Sequence, residues 1–256
     1  MTGTDDSTRK GNATMGEREN LEAGIAAMEA QRALLGDAVV EAALAPMREK
    51  LASLLAPPPE EQRKLLTVLF ADVSGFTALS ETRDAEDVRE LMNRLWDRLD
   101  AVLQAHGARI DKHIGDAVMA LFGADAARED DPERAVRAAL TLQEALAHDA
   151  ATLMEGAASA PPLRMRVGIS TGLVLLGSVG TVGETTALGD TVNVASRLEG
   201  AAPVGGVLIA HDTYRHVRGL FDAQELPPLA LKGKTEPVRA YLVARAKPRG
   251  FHLSPR

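Results

Sequence analysis

Apolar positions change period repeatedly along this chain, and each change marks a new element. Leu21, Ile25, Met28 and Leu35 recur at steps of three, four or seven, and the stripe resumes at Val40, Leu44, Met47, Leu51 and Leu54. That spacing predicts amphipathic helix from about Glu19 to Ala56, with Gly36-Asp37 as a helix stop followed by a new N-cap, or as a register break in one long helix. Pro57-Pro58-Pro59 ends the segment, because proline lacks the N–H that continues a helix. Beyond it, the run 65–73 (LLTVLFADV) is largely apolar with β-branched members, which predicts a buried strand. Val88, Leu91, Leu95, Leu99, Val102 and Leu103 then share one helical face over about 84–106.

The alternation continues. A hairpin is predicted over 108–122 with its turn near Gly115-Asp116, and a second helix over about 132–148. A further hairpin is read as MRVGISTG followed by LVLLGSVG, and a helix opens at Gly189-Asp190. Short strands close the chain at VLIA, LALKG and VRAYLVA. The order β-α-β-β-α-β is a split βαβ arrangement, a mixed sheet covered on one face by helices. The expected fold class is therefore α+β, with a ferredoxin-like βαββαβ core, extra C-terminal strands and an N-terminal helical segment. In domain terms, 1–18 reads as a mobile polar tail and 19–59 as a helical hairpin or coiled coil with a proline-rich linker. Residues 60–246 read as the main α+β domain and 247–256 as a tail. The helical stripe serves either packing on the following domain or dimerisation.

Composition narrows the chemistry. The net charge of −7 does not suggest a general surface for nucleic acid or anionic membrane. No apolar run approaches the roughly 18 residues that span a bilayer. With no cysteine, disulfides and thiolate metal sites are excluded, which fits a cytoplasmic location. The six histidines lack ligand-like spacing.

The candidate chemistry lies elsewhere. Asp72 in LTVLFADVSGFT and Asp116 in RIDKHIGDAVMALFG each end an apolar run beside a glycine. Two strands side by side would deliver both carboxylates to one edge, a hard-oxygen site suited to Mg²⁺ or Mn²⁺ and a nucleotide phosphate; strand-end turn caps are the plainer alternative. Lys112 precedes Asp116 by four. In Thr185 to Glu199, Gly-Asp-Thr starts a helix on which Asn193 and Arg197 share a face, able to orient a ribose and bind a phosphate oxygen. Lys232, in Leu-Lys-Gly-Lys, could reach a polyphosphate. Gly168-Ile169-Ser170-Thr171-Gly172 matches the nucleophile elbow, but Leu173 to Gly177 reads as a strand rather than the helix that motif needs.

Together these positions resemble the class III nucleotide cyclase catalytic domain. The boxes are Phe70 to Thr77, Asp111 to Asp116, Leu188 to Glu199 and the closing L-K-G-K, over roughly 63–245. The resemblance implies a head-to-tail homodimer with sites at the interface. It implies that Asp72 and Asp116, with the Val73 carbonyl, hold two Mg²⁺ or Mn²⁺ ions, and that Gly75 and Phe76 line the substrate site. Lys112 and Thr186 of the other copy would read the base. Asn193 and Arg197 would act at the ribose and α-phosphate, and Lys232 at the outgoing phosphates. Lys112 with Thr186 resembles the adenylate subgroup, hence ATP as substrate; a guanylate cyclase, or an inactive nucleotide-binding module of the same fold, is the alternative. The loop Pro203-Val204-Gly205-Gly206 departs from members that place an extra phosphate-binding arginine there.

Overall fold

The computed structural model describes residues 6–55, 62–75, 84–153, 163–178, 185–230, 234 and 236–248. The chain divides into two units, one of residues 1–61 with 177–186 and the other of residues 62–176 with 187–256.

In the first unit, helix α1 (Asp6–Ala30) leads through the single turn α2 (Arg32–Leu35) to α3 (Asp37–Leu55). Helix therefore begins at Asp6, inside the segment expected as a mobile tail. The reversal between α2 and α3 falls at Gly36, whose φ of 81° suits a residue without Cβ. This is the stop-and-restart read from Gly36-Asp37. Where α1 and α3 pack, Met47 Cε lies 2.6 Å from where a Cβ on Gly24 would be. Arg32 and Arg48 each bind both Glu29 and Glu41, at 2.6–2.9 Å, lacing the helices together. These pairs are exposed or only part-buried, so the network adds little free energy beyond the apolar contact.

Apart from residues 177–178 and 185–186, an eight-stranded sheet belongs to the second unit. Its strands are β1 (Gln62–Ser74), β2 (Ala108–Ile114), β3 (Ala117–Phe122), β4 (Arg164–Ser178), β5 (Thr185–Leu188), β6 (Val207–Ala210), β7 (Phe221–Glu225) and β8 (Ala240–Ala246). The order is β2-β3-β1-β4-β6-β8-β7, with β5 paired to β4. All neighbours along this path run antiparallel except β4 with β6. The first four strands of the path give the split βαβ core that the element order predicted.

Helices α4 (Ala85–Ala105), α5 (Asp131–Leu153) and α7 (His211–Val217) pack on one face. There Leu69, Ala71 and Val73 of β1 meet Leu91, Leu95 and Leu99 of α4 and Val136, Ala139 and Leu142 of α5. Each fully buried leucine stabilises the fold by about 2 kcal/mol. Asp84 caps α4, its carboxylate accepting from Glu86 N–H at 2.9 Å. Helix α6 (Asp190–Ala201) lies on the opposite face, where Ala195 joins Leu66, Val68, Phe70, Met119 and Leu121. β1 is buried on both sides, which is why it reads as an unbroken apolar run rather than an alternation.

Three readings are corrected. Residues 164–178 form one continuous strand, not a hairpin. Two glycines within this strand serve α6: a Cβ on Gly168 would stand 2.2 Å from both Ala195 O and Glu199 N, and one on Gly172 2.5 Å from Thr191 Oγ1. Because α6 rests on these two glycines, helices cover both faces of the sheet. In the described part of LALKG there is a single bridge, Leu229 to Val238, rather than a strand. Helix α7 and strand β7 were not anticipated.

Candidate active site

β1 and β3 pair so that Asp72 stands opposite Ala117, the residue after Asp116. The β2–β3 turn at Gly115 (φ 65°) brings Asp116 alongside, and the Val73 N–H donates to the Asp116 carbonyl at 3.1 Å. The two carboxylates thus meet at one end of the sheet, as their motifs suggested. Burial, and then the Asp116 charge and a hydrogen bond with its side chain, push the Asp72 carboxyl above its ordinary range; Arg166 opposes the shift.

Arg166 is a site residue that the motifs did not reveal. It stands opposite Asp72 in the β1–β4 register, with Nη2 3.9 Å from Asp72 Oδ2. Its Nε donates to Ser74 Oγ at 3.0 Å. The loop 203–206, which lacks a basic residue, lies against this strand: Gly205 N–H donates to Met165 O and Val167 N–H to Gly206 O. Glu199 of α6 is the second unanticipated group. Burial pushes its carboxyl up to about 7, helped by the negative charge of Asp72 and then of Asp116 and opposed by Arg166. Gly168 brings this part of α6 onto the sheet.

A divalent cation fits this edge by donor chemistry. Two carboxylates held together against their own repulsion, and half-buried, are stabilised by a hard dication. Among the described residues no third His, Cys, Asp or Glu completes a metal-binding group. The remaining oxygens would have to come from backbone carbonyls such as Val73, from a ligand or from water.

A second set of residues faces the α6 side of the sheet. In β2, Ile110 is opposite Ala120 but Lys112 is opposite Met119, so Asp111 is an inserted bulge residue. Met119 belongs to the α6-side cluster and Ala120 to the other. The bulge therefore turns Lys112 toward the α6 side. His113 goes the other way, its ring 4.7 Å from the Trp96 ring and Nε2 3.2 Å from Asp100 Oδ1 on α4. A bulge re-aims side chains in this manner wherever it interrupts the alternation. The even spacing of Lys112 from Asp116 thus is not what places it.

On α6, Asn193 is exposed and Arg197 half-buried, one helical turn apart. Arg197 has no carboxylate partner among the described residues. Asp190 at the helix start, where negative charge is favoured, accepts from Lys234 Nζ at 2.5 Å. Thr186 is a buried residue of β5. Gly75 adopts a φ of 94° directly after β1. Phe76 and Lys232 lie outside the described residues.

The family model for the adenylate and guanylate cyclase catalytic domain matches residues 59–245. The chain belongs to this family. It is 31% identical over 191 residues to an adenylate cyclase of Anabaena cylindrica, covering 70% of this chain and 36% of that protein. Over 140 residues it is 40% identical to adenylate cyclase 1 of Rhizobium meliloti, covering 54% of this chain and 21% of the relative. The chain thus spans well under half the length of these curated relatives. Among solved structures, the adenylyl cyclase CyaB from P. aeruginosa matches with a TM-score of 0.68 at 33% identity, covering 74% of this chain and 98% of that one. The guanylyl cyclase Cya2 matches with a TM-score of 0.66 at 29% identity, covering 73% and 95%. Every described site residue of this cyclase domain, including Arg166 and Glu199, falls within the matched span. No helix among the described residues is long and apolar enough to cross a membrane.

Proposed function

We propose that the chain is an adenylate cyclase, converting ATP to 3′,5′-cyclic AMP and pyrophosphate at sites shared across a cytoplasmic homodimer. The observation that carries this reading is the convergence of Asp72, Asp116 and Arg166 at one end of the sheet, with Lys112 and the α6 pair Asn193 and Arg197 on the face beside it. The acidic edge supplies metal and phosphate contacts, and the second set is basic and amide-bearing. Arg197 lacks an anionic partner among the described residues, which fits a substrate phosphate from a site completed by a second copy.

In the reaction the ribose 3′-oxygen forms a bond to the α-phosphorus as the bond from that phosphorus to the β-phosphate bridging oxygen breaks. Pyrophosphate leaves and the hydroxyl proton passes to solvent; no side chain is assigned as general base. Asp72 and Asp116 would hold two Mg²⁺ or Mn²⁺ ions, with the Val73 carbonyl as a further oxygen. When bound, such ions lower the pKa of the hydroxyl and neutralise triphosphate charge. Asn193 orients the ribose. Arg197 stabilises charge growing on the α-phosphoryl oxygens, a role worth about 10³-fold or more in other phosphoryl transfers. Arg166, turned toward Asp72, would bind phosphate oxygens, and Lys232 the β,γ-phosphates. Holding these groups in place before reaction supplies much of the rest.

Substrate choice rests on Lys112 and Thr186. A lysine donates to a ring acceptor such as adenine N1, and a threonine hydroxyl accepts from the exocyclic amine. Adenylate cyclases among the relatives support this reading, and guanylyl cyclases among them define the competing one. The direct test incubates the protein with ATP or GTP in Mn²⁺ or Mg²⁺ and separates the products. Cyclic AMP as the main product supports the proposal; cyclic GMP as the main product overturns its substrate, and no cyclic product with either overturns it altogether.

A further inference from the structure

Asp111 stands next to the base-reading lysine at an irregular point in β2. In a regular strand, neighbouring side chains point to opposite faces. Here the register shifts between Ile110 and Lys112, and Asp111 Oδ2 lies 3.5 Å from Lys112 Nζ. The bulge thus puts an anion and a cation, adjacent in sequence, on the same side. Their surroundings differ sharply: the Asp111 side chain is 1% exposed and that of Lys112 43%. The carboxylate is enclosed by the fold, while the ammonium it meets is open to a ligand.

We infer that Asp111 is a positioning residue for nucleotide specificity, its buried carboxylate tethering the Lys112 ammonium where it can reach the base. This rests on the reading of Lys112 as the residue that contacts the base. A lysine has a flexible four-carbon stem and a charge that serves phosphate as readily as a ring nitrogen. Without a fixed anion beside it, Lys112 would spread over many positions near a triphosphate. The tether shortens that range and leaves the open side of the ammonium for a neutral acceptor. Burial of the carboxylate strengthens the hold, since water does not compete for it.

The test compares ATP with 1-deaza-ATP, in which the ring acceptor is replaced by C–H. Unmodified protein should favour ATP by about 10-fold or more in kcat/KM, the scale expected when a placed donor loses its acceptor. In Asp111→Asn the preference should fall below about 3-fold, through a higher KM for ATP, with kcat and the 1-deaza-ATP parameters nearly unchanged. Binding of 3′-deoxy-ATP, which cannot cyclise, should weaken in parallel by calorimetry. In a Lys112→Met background, Asp111→Asn should add nothing, whereas a merely structural role would still show. Asp111→Glu, which keeps the charge and shifts it by one methylene, should lose part of the preference and decides the matter if the Asn variant does not fold. Full preference retained in a folded variant overturns the inference, as does equal loss on both nucleotides. No preference in unmodified protein instead overturns the base-contact reading of Lys112 beneath it.

Discussion

The acidic end of the sheet and the α6 face are built by opposite means. Asp72 is carried by the regular strand β1 and Asp116 by the tight turn between β2 and β3, and the Asp72 charge is partly answered within the chain by Arg166. Lys112, Asn193 and Arg197 depend on irregularities: a bulge at Asp111 and two glycines that let a helix lie against the sheet. The first region concentrates negative charge and calls for cations. The second exposes an amide and cations that call for anions. On the proposed function, a nucleotide bound to metal would satisfy both.

The contrast breaks most severely at the acidic end. Asp72→Ala or Asp116→Ala should reduce cyclic-nucleotide formation by about 10³-fold or more while leaving thermal unfolding cooperative. Turnover within a few-fold of normal would remove the metal assignment. On the α6 side, Gly168→Ala forces backbone against backbone. It should cost about 1–3 kcal/mol of stability by denaturant titration and lower kcat by roughly 10²-fold, as an ångström-scale shift of catalytic groups does. Gly172→Ala meets only the Thr191 side chain, so its effect should be smaller, and Thr191→Ala in the same chain should relieve it.

A gentler test concerns Glu199. Its carboxyl, pushed up to about 7 from an ordinary 4.5, binds its proton more tightly folded than unfolded. Folding is then penalised as pH rises from about 4.5 to about 7, and the penalty stays constant above that. Without divalent metal, Glu199→Gln should raise Tm by a few degrees at pH 8 and change it little near pH 4. An equal gain at both values would show that charge is not the cause.

How these regions are built also explains what the sequence discloses. Strands and helices with a strong period emerge close to their observed ends: the apolar run 65–73 lies within Gln62–Ser74, and the stripe over 84–106 matches Ala85–Ala105. Asp72 and Asp116 are recognisable because each stands at one end of an apolar run, Asp72 near the close of LTVLFADV and Asp116 just before AVMALF. The Gly168-Gly172 segment misleads because a glycine needed for close helix contact looks, in sequence, like one needed for a turn. Arg166 escapes notice because an arginine near a strand start resembles a solvated edge residue until pairing sets it opposite Asp72. Glu199 near a helix end resembles a surface glutamate, and only the height of α6 shows otherwise. The bulge at Asp111 leaves no trace in the alternation of so short and polar a strand.

The most direct measurement mixes Asp72→Ala protein with Arg197→Ala protein under conditions where subunit exchange is demonstrated. If the acidic end of one copy works with the α6 face of another, random pairing makes half the dimers mixed, and each mixed dimer keeps one intact site of two. Activity should return to about a quarter of the normal value, although each variant alone is silent. No recovery, with exchange established, would contradict a site shared between chains.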